Sequence, residues 1–279
     1  MYEELYVQGK TAGEAVERLI QIIELLRSEK GCPWDQAQTH DTLKACLVEE
    51  TYEVIEAIEK HDWDNLEEEL GDVLLQIIFH GSLRQAEGDF DLKSIANRVC
   101  NKMISRHPHV FSNNRAETID TVLEKWENMK RKEKRGTRAE AMQKIPKSLP
   151  ALRKSYKVQA KAAEVGFDWD LVEQAFEKVV EETGELGEII NTNSHERIQE
   201  ELGDLLFAVV NVARLLRVDP EDALNFASQK FIRRFSFIEE TAGSKGQKLE
   251  EMTLTEMDKL WDEAKSKEKL FINQCEVKE

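Results

Sequence analysis

Two short stretches of this chain place carboxylates where a cation could be held. Glu-Glu-Leu-Gly-Asp runs from Glu68 to Asp72 and again from Glu200 to Asp204. Each follows a second acidic group at the same interval of 22 residues (Glu50 to Asp72, Glu182 to Asp204). Those groups are Glu49, Glu50 and Glu53 in the first case, and Glu181, Glu182 and Glu185 in the second. On a helix, positions three apart share a face, so Glu50 with Glu53 and Glu69 with Asp72 each present a carboxylate pair. Two helices folded back on one another aim the four groups at one point. Four like charges there repel, and a proton or a cation must relieve them. An all-oxygen donor set selects hard cations, Mg²⁺ first and Mn²⁺ second. A Glu-rich helix is more often only a solvated face. The second copy, with its apolar stripe facing the same way, is what weighs against that reading here.

Basic and aromatic residues recur as well. Lys102 and Arg106, and again Lys230 and Arg234, stand four apart on one helix face, while Trp126 with Lys130 is matched by Trp261 with Lys265. The offset between copies is 132 through the acidic groups, 128 at the Lys-x-x-x-Arg pairs and 135 at the tryptophans, as loop insertions and deletions produce. With a net charge of −16, a nucleic-acid polymer is a poor ligand. A divalent cation between carboxylates reverses the sign locally and leaves room for a small phosphorylated ligand. Repeated Lys-x-x-x-Arg beside such a site suits polyphosphate oxygens. The tryptophans suit either a core or the border of a nucleobase pocket.

Helices must position all of these. Charged residues make up 34 % and hydrophobic ones 41 %, with only 13 Gly and 5 Pro, a mix that favours an all-α fold. Apolar residues at three- and four-residue steps predict helices over about 12–30, 42–60 and from 63 through Phe79. Residues 1–10 read as a loose lead, and Gly31 to Asp35 as a turn. Asp62 and Asp91 are expected N-caps, the latter opening a helix over 92–106 that His107-Pro108 stops. A further helix is expected over 116–135. Residues 136–150 lack a sustained stripe and read as a linker. Beyond it the pattern repeats: helices over about 151–164, 171–191 and from Ser194 to Arg217, an Asp219-Pro220 cap, and a Thr253/Glu256 capping box before the last helix. The domain reading is 12–135, linker 136–150, 151–270 and a tail of 271–279. Gly71 and Gly203, each costing roughly 1 kcal/mol mid-helix, are expected to permit close helix approach.

Cys32, Cys46, Cys100 and Cys275 have no ligand-like spacing and read as reduced thiols. No signal-peptide pattern or membrane-length apolar run is evident, so a cytoplasmic protein is expected.

Taken together, the motifs resemble those of the MazG family across about residues 12–270. They are Gly-Cys-Pro-Trp-Asp (31–35) with Gln38-Thr39, Glu-Glu-Thr-Tyr-Glu (49–53), Arg-His-Pro-His-Val-Phe (106–111), Val-Gly-Phe-Asp-Trp (165–169) and Lys-Phe-Ile-Arg-Arg-Phe (230–235). Both copies match the family's Glu-Glu-x-x-Glu followed by Glu-x-x-Asp. The resemblance implies two tandem helical repeats forming four-helix bundles, completed by homodimerisation. It also implies Mg²⁺-dependent hydrolysis of nucleoside triphosphates to monophosphate and pyrophosphate. Glu182, Glu185, Glu201 and Asp204 would then hold the metal, which would orient the triphosphate and activate a water. Lys230 and Arg234 would hold phosphates, with Arg197, Trp261 and Lys265 near the nucleotide. Glu181 would serve as a base or as an orienting group, two roles left open.

The repeats are not equal. Arg197 and Arg233 correspond to Asn65 and Ser105, so catalysis is expected mainly in the second repeat, with Glu49, Glu50, Glu53, Glu69, Asp72, Lys102, Arg106, Trp126 and Lys130 forming a second candidate site. A di-iron carboxylate bundle would need Glu-x-x-His, and none of the six histidines has a Glu three residues before it. The competing reading is a helical nucleotide-sensing or partner-binding module, against which the intact acids of both repeats argue.

Overall fold

The computed structural model describes residues 2–111, 118, 122, 137–192 and 194–276, and among them there is no strand. The all-α expectation is met. The chain divides into two compact units, residues 1–133 and 134–279. No helix among the described residues is long and apolar enough to cross a membrane.

The first unit contains α1 (Ala12–Arg27), α2 (Pro33–Gln36), α3 (His40–Lys60), α4 (Trp63–Ala86), α5 (Leu92–Arg106) and α6 (Pro108–Phe111). The expected loose lead holds a 3₁₀ turn, Glu3–Tyr6, fastened where Arg18 Nε donates to the Leu5 carbonyl at 2.6 Å. The expected turn after α1 contains α2, which Pro33 opens with a preset φ. Gly31 is required there, since a Cβ would stand 2.1 Å from the Leu26 carbonyl oxygen. Both expected caps form: Asp62 accepts from Asn65 N–H at 3.2 Å and Asp91 from Ser94 N–H at 2.7 Å. Helix α4 turns back after α3 and lies along it, and α1 and α5 pack on α4. Ile23, Leu43, Ile78 and Phe79 form the buried centre. Apart from Thr118 and Val122, the helix expected over 116–135 lies outside the described residues.

The second unit contains α7 (Arg138–Gln143), α8 (Ala151–Ala163), α9 (Val172–Ile189), α10 (His195–Leu215), α11 (Pro220–Ser244) and α12 (Leu254–Glu276). Helix α7 arises in the stretch expected to lack one. At six residues it is too short to show a stripe, and a Thr137/Glu140 capping box starts it. Helix α10 lies along α9 as α4 does along α3, α8 packs on α10, and α11 pairs with α12. Asp219 caps α11 by accepting from Glu221 and Asp222 N–H at 2.9 and 3.2 Å. The loop before α9 is tied to α10: Arg214 Nη1 donates to Asp168 Oδ2 at 3.0 Å and Nη2 to Oδ1, while Nε and Nη2 also reach Asn211 Oδ1 at 3.0 and 2.8 Å. Desolvation pushes the Asp168 carboxyl up, but Arg214 and the Trp169 N–H outweigh it and hold it below its ordinary 3.8.

One expectation needs correction. A Cβ at Gly71 or Gly203 would meet nothing within 4 Å, and the same holds at Gly184 and Gly187. These glycines do not let helices approach within either unit. They lie on outward faces of the α3/α4 and α9/α10 pairs, beside large apolar side chains that are also exposed: Leu70 in the first, and Phe176, Val180, Leu202 and Leu206 in the second.

Candidate metal centre

Each repeat gathers three of its four predicted ligands. Carboxylate oxygens of Glu50, Glu69 and Asp72 lie within 4.8 Å of one another, and so do those of Glu182, Glu201 and Asp204. The cause is local. Glu69 and Asp72, or Glu201 and Asp204, share a face of the second helix, which folds back along the first and meets Glu50 or Glu182 there. The fourth carboxylates stand beside these triads. Glu53 is among the neighbours that raise Glu50, and Glu185 feels Glu182 and Glu201.

Charge crowding shows in the acids themselves. Glu185 is held above its ordinary 4.5, first by the neighbouring Glu182 charge, then by desolvation and by Glu201. In the first repeat, desolvation leads, raising both Glu50 and Glu69, with the surrounding carboxylates adding to it. A raised carboxyl takes up its proton at a higher pH than a free one does, and that proton competes with a cation. Mg²⁺ affinity should therefore fall with pH through a midpoint above 4.5. Calorimetric Mg²⁺ titrations from pH 8 to pH 5 check this, and a flat profile would exclude it.

The second triad fits a hard divalent cation on one further observation. Glu182 is only 5 % exposed, and its Oε2 is buried with no hydrogen-bond partner. Leaving a buried carboxylate oxygen unpaired is costly unless something else coordinates it. The first triad is half-buried throughout.

Lys178, which the sequence reading passed over, sits at this point. Its Nζ reaches Glu181 Oε1 and Glu182 Oε1, each at 2.7 Å, and these contacts hold its ammonium well above the usual lysine range. The signal was available, since Lys178 is four residues before Glu182. In the first repeat the same position is Cys46. Lys178→Met should lower the metal-free melting temperature by about 2 °C, the scale of a partly exposed ion pair, and Mg²⁺ should restore more of it than in the parent. Thermal melts with and without Mg²⁺ test that; equal Mg²⁺ shifts in both proteins would refute it.

Four of the five predicted cations of the second repeat, Lys230, Arg233, Arg234 and Lys265, stand on α11 and α12, and Arg197 does not. Arg234 lies with its guanidinium carbon 5.4 Å from the Trp261 ring centre, and its Nε and Nη2 both reach Glu268 Oε2 at 2.8 Å. Glu268 also stands 3.9 Å from Arg233 Nε. One edge and one face of Arg234 are thus fixed. Trp261 packs on Phe231 at 5.1 Å between ring centres, Lys230 lies 6.0 Å from the Phe226 ring, and Lys265 pairs with Asp262 at 3.1 Å. Arg197 is exposed in the first turn of α10, one turn before Glu201. The carboxylate triad therefore belongs to α9/α10 and the Arg234 group to α11/α12, with α11 packed on α8 and α10. In the first repeat Lys102 and Arg106 stand on α5, which packs on α4; Trp126 and Lys130 lie outside the described residues.

Comparison with known proteins bears on the same segments. A profile described as the MazG nucleotide pyrophosphohydrolase domain matches residues 38–111 and 172–236, the stretches that hold the two triads. The nucleoside triphosphate pyrophosphohydrolase/pyrophosphatase MazG of Thermotoga maritima is 41 % identical over 256 residues, covering 92 % of this chain and 98 % of that protein. The nucleoside triphosphate pyrophosphohydrolase of Escherichia coli is 41 % identical over 258 residues, 91 % of this chain and 98 % of its own. An uncharacterized protein of Bacillus subtilis, YabN, is 47 % identical over 249 residues; they cover 89 % of this chain but only 51 % of YabN.

Proposed function

The chain belongs to the MazG family, and from that premise we propose that it hydrolyses nucleoside triphosphates to the monophosphate and pyrophosphate with Mg²⁺, for which Mn²⁺ can substitute. The observation that carries this is the carboxylate triad of Glu182, Glu201 and Asp204, in which the buried Glu182 keeps an Oε2 without a hydrogen-bond partner. The two curated relatives that align over nearly their whole length, both named for triphosphate pyrophosphohydrolysis, support the reaction.

In this reading Glu182, Glu201 and Asp204 hold the cation, and Glu185 closes the set. When bound, the cation offsets charge on the triphosphate oxygens and lowers the pKa of a water. Arg234 meets a phosphate as a planar fork, held in aim by Glu268 and Trp261. Lys230, Arg233, Arg197 and Lys265 add positive charge around the polyphosphate. Phosphoryl chemistry of this kind needs mainly positioning and charge neutralisation, and the chain supplies both. Glu181, joined to Glu182 through Lys178, keeps that lysine in place. The second repeat is the main catalytic one, and the segment ahead of α8 is the connection between repeats.

A homodimer is part of the proposal. Phe176, Val180, Leu202 and Leu206 on α9 and α10 are 44–60 % exposed, an apolar face that a second copy would cover to complete a four-helix bundle. The setting is cytoplasmic and the role is the upkeep of nucleotide pools. The test is pyrophosphate release from a panel of canonical and modified ribo- and deoxynucleoside triphosphates with Mg²⁺. Nucleotide binding without any pyrophosphate release would defeat it.

A further inference from the structure

A cavity of about 510 Å³ opens beside α10, between α8 and the loop that precedes α9. Its volume is in the range of small-ligand pockets. Phe167, Trp169 and Phe207 line it, together with Gln159, Asp168 and Arg214. The aromatic side chains remain partly or largely open to solvent: Phe167 is 81 % exposed, Trp169 44 % and Phe207 41 %.

Two features specify a ligand. Gln159 is 7 % exposed; its Nε2 donates to the Phe207 carbonyl at 2.7 Å, while its Oε1 is buried with no partner. A buried amide oxygen left without a donor calls for one from whatever enters. The charged groups, by contrast, are paired with one another. Four of the N–H contacts of Arg214 go to Asp168 and Asn211, and Asp168 is paired in turn. A phosphate finds no unpaired cation there, whereas an uncharged aromatic finds three rings and one acceptor.

The geometry points to a nucleobase site: a planar heteroaromatic stacks among Phe167, Trp169 and Phe207 and donates an N–H to Gln159 Oε1. Aromatic side chains bind bases through their faces with little regard to sequence. The choice of a nucleobase among heteroaromatics rests on the proposed triphosphate function. The base has two sources, the substrate itself or a free nucleoside. Phe207 and Arg214 follow the metal ligand Asp204 by three and ten residues on one helix, or about 5–15 Å along its axis, a span that a nucleotide can bridge.

The test uses the full chain in metal-free buffer, titrated with adenosine, guanosine and uridine and followed by calorimetry and saturation-transfer NMR. At least one nucleoside should bind saturably. Gln159→Leu and Phe167→Ala should each weaken that binding about tenfold, the scale of one lost base contact. Because Phe167 is largely exposed, its variant keeps the fold even if the Gln159 change does not. Displacement by a triphosphate with Mg²⁺ assigns the site to the substrate's base, and simultaneous binding assigns it to a free nucleoside. No saturable binding by any of the three, or binding that both variants leave unchanged, overturns the inference. Neither result depends on hydrolysis, so a protein that releases no pyrophosphate would still answer the question.

Discussion

Glu201→Gln or Asp204→Asn removes pyrophosphate release by at least about 100-fold in kcat/KM, the scale of losing one pre-organised charge contact at a reacting centre. Glu69→Gln in the first repeat leaves most of it. Both triads close to within the same 4.8 Å, so ligand geometry alone does not rank them. What surrounds them does. In the second repeat Glu182 is buried with an unpartnered oxygen, and Lys178, Arg197 and Arg233 stand where the first has Cys46, Asn65 and Ser105. A triphosphate carries several negative charges, and its desolvation beside four carboxylates is tolerable only where cations accompany the metal. Initial rates of the three variants with saturating Mg²⁺ decide the matter. A larger loss from the Glu69 change would reverse the assignment of the repeats.

Arg234→Ala raises KM by roughly 10- to 100-fold, the range expected for losing a hydrogen bond to a charged group. Arg234→Lys recovers little of it, because an ammonium cannot replace a fork that is clamped along one edge and stacked on one face. Glu268 acts through this arginine. Glu268→Ala frees the guanidinium to swing and should reproduce part of the KM increase with a smaller change in kcat. Glu268→Gln keeps an oxygen that accepts from Arg234 Nε and should fall between Ala and the parent. Steady-state kinetics on the four variants separate KM from kcat. Unchanged KM in Glu268→Ala would mean that the 2.8 Å contacts hold the α11/α12 pair together without aiming Arg234.

How much of this could be read from the sequence depends on how local each cause is. The helix over 92–106 has the bounds its Asp91 cap and the following His107-Pro108 imply, because a cap acts within three residues. The two acidic constellations were legible for the same reason: i, i+3 spacing and a short return connection are one-dimensional facts. The short helices 33–36 and 138–143 were not, since four or six residues cannot display a 3.6-residue period. Lys178 was visible as a spacing but not as a contact, because a lysine four residues before a glutamate is common on solvated faces. The Gln159 cavity needed tertiary structure altogether. A helix, a loop and a second helix from distant stretches enclose it, and the partnerless oxygen exists only once they do.

The outward glycines carry a cost that the fold does not recover by itself. Gly71, Gly184, Gly187 and Gly203 sit within helices with open space where a Cβ would go, and each gives up about 1 kcal/mol relative to alanine. An unassisted helix pair would be steadier with alanine at all four. Their presence leaves methyl-free backbone with open space beside it close in sequence to the carboxylates of each triad. Single alanine replacements would therefore work as depth gauges. Each would stiffen its helix, and any loss of turnover or of self-association that came with the added stability would mark how closely another molecule lies against that point of the backbone.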